Sequence, residues 1–321
     1  MALVFMRQTR LWCSYRTTLT ALSKTHYYPR HVSAFFQRSF SLNQPTGYAN
    51  KPSNHSNIIK SKTDLDLIEN KSLPAFLFDK FDTFGNKPAM IDGITGQQYT
   101  YPQLQEMTIK LGSALTKLGF KKGDVCAIFC HNIIEYPIIY LSILSLGGIA
   151  TLISSMATVP ELCYQLKDTN AQYIFTVPAL ASTAKEAAKQ CGLTEVCVVG
   201  EAEGCRPISN FFEDDGKSFP RDVEIKPKED VAILPYSSGT TGLPKGVMLT
   251  HFNLSANIQQ YCERPEYNDT KFDDIALSVI PSFHIYGITV VLGVSLYKGA
   301  TVVSLPKFEP ELFLETIQNF K

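Results

Sequence analysis

The sequence predicts an α/β protein with mixed, largely parallel sheets and flanking helices. From residue 124 onward, short apolar runs alternate with stretches of helical periodicity, which is the pattern of parallel strands joined by crossover helices. The chain has 321 residues, 45% of them hydrophobic, so it can bury a large core and has room for two domains. Its formal net charge is zero, which argues against a nucleic-acid partner held by bulk electrostatics.

The first predicted elements precede the alternating region. Apolar residues at helical spacing predict a helix over residues 74–84. Two short runs, 88–92 and 97–101, predict a hairpin because glycines lie between them. Thr100 then has the position of an N-cap for a helix that extends to about residue 118.

The alternating region supplies the remaining elements. Strands are predicted at residues 124–130, 150–154, 173–176, 196–199, 276–281 and 301–305. Helices are predicted at residues 135–146, 160–169, 179–190, 253–261, 284–296 and 311–321. The apolar run 137–153 is interrupted by paired glycines and is short for a bilayer crossing, so no membrane span is expected.

The N-terminal segment has a different composition from the rest of the chain. Residues 1–63 contain nine of the 30 Lys and Arg residues and none of the 30 Asp and Glu residues. An acid-free, Arg- and Ser-containing start that forms a basic amphipathic helix predicts a mitochondrial transit peptide at residues 1–40 and a matrix location. A disordered basic tail is the alternative. Residues 41–63 are predicted as a linker, followed by α/β subdomains at 64–230 and 231–321.

The eight cysteines do not form a metal-binding pattern, because no Cys-x-x-Cys pair is present. Cys126 and Cys130 lie in the apolar run VCAIFC, next to His131. Buried free thiols are the more common outcome for cysteines in such a run, so we predict buried free thiols here and no metal ligands.

The stretch from Tyr236 to His251, YSSGTTGLPKGVMLTH, is the main candidate for chemistry. A loop rich in Gly, Ser and Thr can direct its backbone N–H groups inward around an anion, and Lys245 adds a mobile positive charge suited to a polyphosphate. The loop is predicted to join strand to strand. It is not a Walker A loop, since Pro244 precedes the lysine and Gly246 follows it. A hairpin loop without a ligand is the alternative.

A second candidate, PSFHIYG at residues 281–287, follows a predicted strand. Ligands of open α/β sheets bind beyond the carboxyl ends of the strands. The aromatic residues and His284 could therefore form the wall of an acyl pocket, although a single histidine at a strand end is more often structural.

These two segments together carry a family resemblance. The run LPYSSGTTGLPK resembles the ATP-binding signature of the adenylate-forming ligases, which include acyl-CoA synthetases, 4-coumarate–CoA ligases and luciferases. The P-x-F-H-x-x-G spacing resembles their second signature, and its FHIY form is most similar to 4-coumarate–CoA ligase-like members. The resemblance covers residues 65–321 and implies the N-terminal, incomplete part of the family's large domain.

The resemblance also implies a reaction and residue roles. A carboxylic acid with an apolar or aryl body would be joined to CoA at the expense of ATP, with ATP, Mg²⁺ and CoA as cofactors. Lys245 and His284 would be catalytic. Lys307 matches a position implicated in CoA binding, although a lysine at a strand end is usually just solvated. The implied ATP contacts are Ser237, Ser238, Gly239, Thr240, Thr241, Gly242 and Lys245. The implied substrate contacts are His284, Tyr286, Gly287 and Val290.

The sequence also departs from the family pattern. The aromatic-Gly-x-Thr-Glu segment that supplies the family's Mg²⁺ ligand and the Thr-Gly-Asp segment that binds ribose are absent, so no metal ligand is predicted. We therefore expect an N-terminal part of an acyl-CoA ligase that does not complete adenylation alone. The alternatives are a luciferase-like or amino-acid-activating relative, and a non-catalytic isoform that binds ATP weakly or pairs with a full-length homologous chain.

Overall fold

A computed structural model provides the structure, and it describes residues 64–193, 195–237, 243–263 and 269–320 together with a strand at Phe5–Met6. The described residues from 65 onward belong to one compact unit. Within it, two sheets and their flanking helices confirm the predicted α/β class with mixed, largely parallel sheets.

The strands and helices have the following bounds. The strands are β1 (Phe5–Met6), β2 (Pro88–Asp92), β3 (Gln98–Thr100), β4 (Val125–Phe129), β5 (Ile149–Leu152), β6 (Tyr173–Thr176), β7 (Val196–Val198), β8 (Arg206–Pro207), β9 (Val231–Ser237), β10 (Lys245–Gly246), β11 (Leu249–Thr250), β12 (Ile275–Ser278) and β13 (Thr301–Ser304). The α-helices are α1 (Leu73–Phe81), α2 (Tyr101–Lys117), α3 (Tyr136–Ser145), α4 (Val159–Asp168), α5 (Ala181–Cys191), α6 (Ser209–Phe212), α7 (His251–Cys262), α8 (Ser295–Lys298) and α9 (Pro310–Asn319).

The larger sheet has the strand order β10-β9-β5-β4-β6-β7-β8, and β11 also pairs with β9. The pairs from β9 to β8 are parallel, whereas β10 and β11 run antiparallel to β9. The central strand β4 is buried along its whole length, as expected for a parallel strand covered by helices on both faces. This arrangement brings the carboxyl ends of β5 and β9 side by side.

The smaller sheet has the order β1-β12-β13-β2-β3. It combines the early hairpin of β2 and β3 with β12 and β13, which come near the end of the chain. The two sheets therefore interleave along the sequence, and each takes strands from both sides of residue 230. The predicted boundary after residue 230 therefore does not separate one sheet from the other. The division into two subdomains at this residue stays a prediction.

Local signals placed most helices within a few residues of their observed bounds. The predicted cap of α2 is confirmed: Thr100 Oγ1 accepts a hydrogen bond from the Gln103 amide, and Gln103 Oε1 accepts one from the Thr100 amide at 2.9 Å. This reciprocal capping box satisfies two N–H groups that have no partner inside the helix. Cys126 and Cys130 are fully buried, as predicted, and burial raises the pKa of the Cys126 thiol.

Two elements differ from the predictions. The segment Gly287–Val294 is π-helical and continues into α8, where a regular helix was predicted. Four consecutive β-branched residues, 288–291, are poor α-helix formers, and the glycines at 287 and 293 tolerate the altered backbone. Phe5–Met6 pairs antiparallel with Ile275 and Ala276 rather than forming part of a helix, because the edge of β12 offers unpaired backbone groups. The rest of residues 1–40 and the linker lie outside the described residues.

None of the helices in the described part of the chain combines the length and apolar character that crossing a bilayer requires.

His251 is the most deeply buried histidine of the described residues, with no exposed surface. It is the first residue of α7, and its Nδ1 accepts a hydrogen bond from the Leu73 amide at 3.2 Å. Burial lowers its pKa to about 4, and the Lys122 cation also lowers it, while Asp230 partly offsets both effects. The imidazole is therefore neutral in the folded protein at physiological pH.

We expect this histidine to make folding stability depend on pH. Below the ordinary histidine value of 6.5 the unfolded chain takes up a proton that the folded chain does not accept until about pH 4. The contribution of His251 to the free energy of unfolding is complete above pH 6.5. It falls by about 1.4 kcal/mol for each pH unit between 6.5 and 4. Urea unfolding of the wild type and His251→Gln over this range measures the effect, because Gln can also accept from Leu73. If the unfolding free energies of the wild type and His251→Gln change equally from pH 7 to pH 4, the prediction is wrong.

Candidate active site

A cavity of about 970 Å³ lies at the carboxyl ends of β5 and β9. This is the place in a parallel α/β sheet where ligands usually bind. Its walls come from the end of β5 and the loop after it, from α4, from the β9–β11 region and from the segment before the π-helix. The lining residues are Leu152, Ser154, Met156, Ala157, Pro160, Glu161, Tyr164, Gln165, Pro235, Tyr236, Ser237, Leu243, Pro244, Val247, Leu249, Phe283, His284 and Ile285.

The two sequence motifs meet in this cavity. Tyr236 and Ser237 line it from the first motif, and residues 283–285, including His284, line it from the second. The first motif extends from the larger sheet, whereas the second follows β12 of the smaller sheet. The cavity therefore joins residues that the chain order separates by more than forty positions.

The first motif forms an antiparallel hairpin, as the sequence predicts for a loop that joins strand to strand. In the pairing of β9 with β10, Lys245 lies opposite Ser237 and Gly246 lies opposite Tyr236. The Val247 amide adds a hydrogen bond to the Pro235 carbonyl at 2.9 Å. Lys245 is exposed, so its ammonium is free to reach an anion at the end of the hairpin. Residues 238–242, which hold the other predicted ATP contacts, lie outside the described residues.

Helix α4 contacts both sides of this hairpin. Tyr164 Oη donates a hydrogen bond to the Pro244 carbonyl at 3.0 Å, and Tyr236 Oη donates one to Asp168 Oδ2 at 2.5 Å. The two tyrosine rings meet edge to face with centroids 6.4 Å apart. Burial, followed by the Asp168 carboxylate, raises the pKa of Tyr236, so this hydroxyl remains a donor throughout the physiological range.

The second motif is held in place by Asn132, which follows β4 and is 4% exposed. Its Nδ2 donates hydrogen bonds to the carbonyls of Ser278 at 3.2 Å and Ile280 at 3.1 Å. Its Oδ1 accepts one from the Ser282 amide at 2.7 Å. One side chain of the larger sheet thereby fixes the backbone that leads from β12 to His284.

His284 has a defined orientation and hydrogen-bonding state. Its Nδ1 accepts a hydrogen bond from the Tyr286 amide at 3.2 Å. A neutral imidazole that accepts at Nδ1 carries its proton on Nε2, so its other nitrogen is a donor. Because His284 is exposed and lines the cavity, this donor is available to an anionic oxygen there.

The remaining predicted site residues do not line the cavity. Tyr286 is half-buried beside Tyr261 of α7, whose pKa is raised first by burial and then by this neighbour. A Cβ on Gly287 would lie 2.1 Å from the Pro281 carbonyl oxygen, so only glycine fits at this close approach. Val290 is buried in the π-helical segment, and Lys307 forms an exposed ion pair with Glu309 at 2.7 Å that raises the pKa of the lysine. Their assigned roles stay predictions.

Sequence reasoning missed the wall formed by α4 and the loop after β5. This wall supplies Met156, Glu161, Tyr164 and Gln165. The only available signal was general, namely that ligands bind at the carboxyl ends of parallel strands. Using it requires knowing that β5 lies next to β9, and the sequence does not state this order.

The described residues contain no group of three or more His, Cys, Asp or Glu side chains arranged to hold a metal ion. The polar groups they bring to the cavity are hydroxyls, the Glu161 carboxylate, the Gln165 amide and the His284 imidazole. Glu161 is already occupied, because its Oε2 accepts hydrogen bonds from the amide and hydroxyl of Thr158 at 2.8 Å. The lining is therefore mostly apolar, with hydroxyls and the His284 imidazole as its available hydrogen-bonding groups.

Comparison with known proteins shows the family of this chain. Residues 77–321 match the family described as AMP-binding enzyme. The chain is 35% identical over 266 residues to 4-coumarate–CoA ligase 2 of Solanum tuberosum, a match that covers 82% of this chain and 48% of that protein. It is 36% identical over 267 residues to 4-coumarate–CoA ligase 3 of Arabidopsis thaliana, covering 82% and 47%. The chain thus spans about half the length of the curated relatives it matches.

Solved structures share the fold. A red-emitting luciferase from Phrixothrix hirtus superposes with a TM-score of 0.72 at 26% identity, over 79% of this chain and 50% of that one. A long-chain-fatty-acid–CoA ligase from Archaeoglobus fulgidus superposes with a TM-score of 0.71 at 26% identity, over 80% and 51%.

We expect Asn132→Ala to destabilise the protein by about 3 kcal/mol, because it leaves buried backbone groups without partners and removes packed atoms. Urea unfolding followed by circular dichroism measures the loss. Asn210→Ala is a matched control on the exposed surface of α6 and should change the unfolding free energy by less than about 0.5 kcal/mol. Equal effects of the two substitutions would show that the Asn132 hydrogen bonds do not hold the second motif.

Proposed function

The chain belongs to the family of AMP-binding enzymes, and on that premise we propose that it forms part of an acyl-CoA ligase of the 4-coumarate-ligase-like or fatty-acid type. The relatives that support this are named 4-coumarate–CoA ligases, and one of the similar structures is named a long-chain-fatty-acid–CoA ligase. In the proposed reaction a carboxylate oxygen bonds to the α-phosphorus of ATP and pyrophosphate leaves. The sulfur of CoA then bonds to the acyl carbon and AMP leaves.

The observation that carries this proposal is the meeting of both motifs at one cavity. The hairpin presents Ser237 at one side of the cavity, and the second motif presents His284 at another. Lys245 lies opposite Ser237 in the hairpin pairing and does not itself line the cavity. Displacement at an anionic phosphorus needs positioning and neutralisation of charge more than a nucleophilic side chain. A hairpin with an exposed lysine and a separate imidazole N–H donor meets that requirement.

Each residue has a distinct proposed role. Lys245 and Ser237 hold the β- and γ-phosphates and stabilise the departing pyrophosphate, together with the predicted contacts at residues 238–242. The Nε2–H group of His284 donates to the carboxylate and to the acyl adenylate formed from it. Lys307 contacts CoA. Mg²⁺ reaches the site bound to the phosphates of ATP, which is its usual mode in nucleotide enzymes.

The cavity supports a carboxylic acid with a bulky apolar or aryl body as the substrate. Most of its lining is apolar, including Met156, Leu243, Val247 and Phe283. Burial of an apolar body against such side chains contributes binding energy in proportion to the area removed from water. Tyr286, Gly287 and Val290 lie directly after this wall and are proposed to form the deeper part of the acyl site.

A non-catalytic role is the second candidate, since the chain spans about half the length of the curated relatives. In that case the hairpin binds ATP weakly without turnover, or the chain pairs with a full-length homologous chain. Catalysis and weak ATP binding both require the hairpin to recognise the phosphates, and they differ in whether pyrophosphate is released. Pairing with a full-length chain does not depend on this recognition.

Calorimetric titration with ATP, AMP and pyrophosphate tests the shared requirement. We expect ATP and pyrophosphate to bind more tightly than AMP, and Lys245→Ala to weaken both by about tenfold or more while leaving AMP binding unchanged, because a charge-assisted contact is lost. Lys298→Ala, in α8 and not in the hairpin, is the matched control. Binding of ATP that is no tighter than AMP and insensitive to Lys245 would refute the phosphate-site assignment.

Pyrophosphate release with ATP and a panel of aryl and fatty carboxylic acids tests whether this chain is catalytic by itself. We expect no complete adenylation, because the sequence lacks the segments that supply the family's Mg²⁺ ligand and ribose contact. Pyrophosphate release would contradict this expectation and exclude the non-catalytic candidate.

We also propose that residues 1–40 direct the protein to the mitochondrial matrix. The support is the acid-free, basic composition of the N-terminal segment. A fluorescent protein fused after residue 40 is expected to accumulate in mitochondria, and replacement of Arg7, Arg10 and Arg16 by Gln should abolish this import. Diffuse fluorescence of the unaltered fusion would refute the proposal.

A further inference from the structure

We propose that Tyr164 and Asp168 of α4 are positioning residues that hold the phosphate-binding hairpin in its working geometry. This inference rests on the proposed function, because it concerns the same hairpin. It extends that function by assigning a role to a helix that neither sequence motif contains.

The two residues contact the hairpin on both sides. Tyr164 and Asp168 are four positions apart and therefore lie on the same face of α4. Tyr164 binds the carbonyl of Pro244, the residue directly before Lys245, and Asp168 binds the hydroxyl of Tyr236 on β9. The helix thus fixes the strand that enters the loop and the backbone that leaves it.

The hairpin needs such support because its own pairing is short. The strand β10 has two residues, and a two-stranded hairpin of this size is at best marginally stable by itself. Tyr236 adds contact through its ring, which lies so close to the backbone that a Cβ on Gly246 would be 3.2 Å from it. The lysine and the glycine of the motif are therefore both next to atoms that α4 holds.

Helix α4 is itself anchored to the sheet. Gln165 is 7% exposed, and its Nε2 donates to Thr151 Oγ1 at 3.0 Å and to the Leu152 carbonyl at 3.1 Å. Leu162 and Leu166 are buried next to Gln165 on the same face of α4 and belong to an apolar cluster. The contacts form a continuous link from β5 through α4 to the hairpin, so a displacement of the hairpin requires breaking hydrogen bonds to a fixed helix.

A general contribution to stability is the alternative explanation, and ligand selectivity separates the two. If Tyr164 and Asp168 position the phosphate-binding hairpin, their loss weakens the binding of ligands that carry the β- and γ-phosphates. It has little effect on AMP, which lacks them. A residue that matters only for folding lowers the melting temperature and weakens every ligand alike.

The test uses hydroxyl deletions that keep the ring and the charge. In the full chain, Tyr164→Phe and Tyr236→Phe are titrated with inorganic pyrophosphate, ATP and AMP. Each is expected to weaken binding of pyrophosphate and ATP by about five- to tenfold, with AMP affinity unchanged. Tyr173→Phe is the matched control, because Tyr173 Oη donates to the Leu118 carbonyl at 3.2 Å and lies outside the cavity lining.

Hydrogen exchange of the hairpin provides a readout that does not need a ligand. Tyr164→Phe should speed exchange of the Val247 amide, which bonds to Pro235 across the hairpin, while amides of β4 exchange as in the wild type. Tyr173→Phe should leave the Val247 amide unchanged.

The outcomes separate the positioning role of α4 from the proposed function. If Lys245→Ala weakens pyrophosphate binding but neither tyrosine variant does, the positioning role of α4 is wrong and the phosphate site stands. If the wild type shows no preference for pyrophosphate and ATP over AMP, both the phosphate site and the positioning role are wrong. Equal losses of pyrophosphate affinity in Tyr173→Phe and Tyr164→Phe would also overturn the positioning role, since they would indicate general destabilisation.

Discussion

The three hydrogen bonds of the Asn132 side chain are the interaction on which the rest of the site depends. They join the end of β4 in the larger sheet to the backbone that leaves β12 in the smaller sheet. A buried amide whose donors and acceptor are all used is rigid, because any shift would leave polar groups unpaired away from water. This contact sets where the second motif lies relative to the first.

The first motif is fixed by a different and more exposed set of contacts. Its hairpin extends from β9 and is held from the side by Tyr164 and Asp168 of α4. One wall of the cavity therefore depends on a buried amide and the other on hydroxyl contacts near solvent. Exposed hydrogen bonds open more readily than buried ones, so the hairpin is the wall whose contacts open more readily.

Several parts of the fold follow from residues close together in sequence. The capping box of Thr100 with Gln103 marks the start of α2, and the strands of the parallel sheet were recognised from their apolar composition and spacing. The π-helical segment was missed because all of its residues, 287–294, are buried, so no one-sided apolar pattern distinguishes one kind of helix from the other. The close approach of Gly287 to the Pro281 carbonyl likewise has no local signature, since it depends on how the chain turns before the helix.

The sequence by itself determined the fold class and the two motifs, whose resemblance to a known family implies a chemistry. Those features reside in composition, periodicity and short runs of residues, where each residue acts on its near neighbours. Only the tertiary structure decided that β5 lies beside β9, that α4 forms a wall of the cavity, and that His284, but not Tyr286, faces it. The physical reason is that strand order and the packing of one sheet on another depend on contacts between residues far apart in the chain, and no local pattern encodes them.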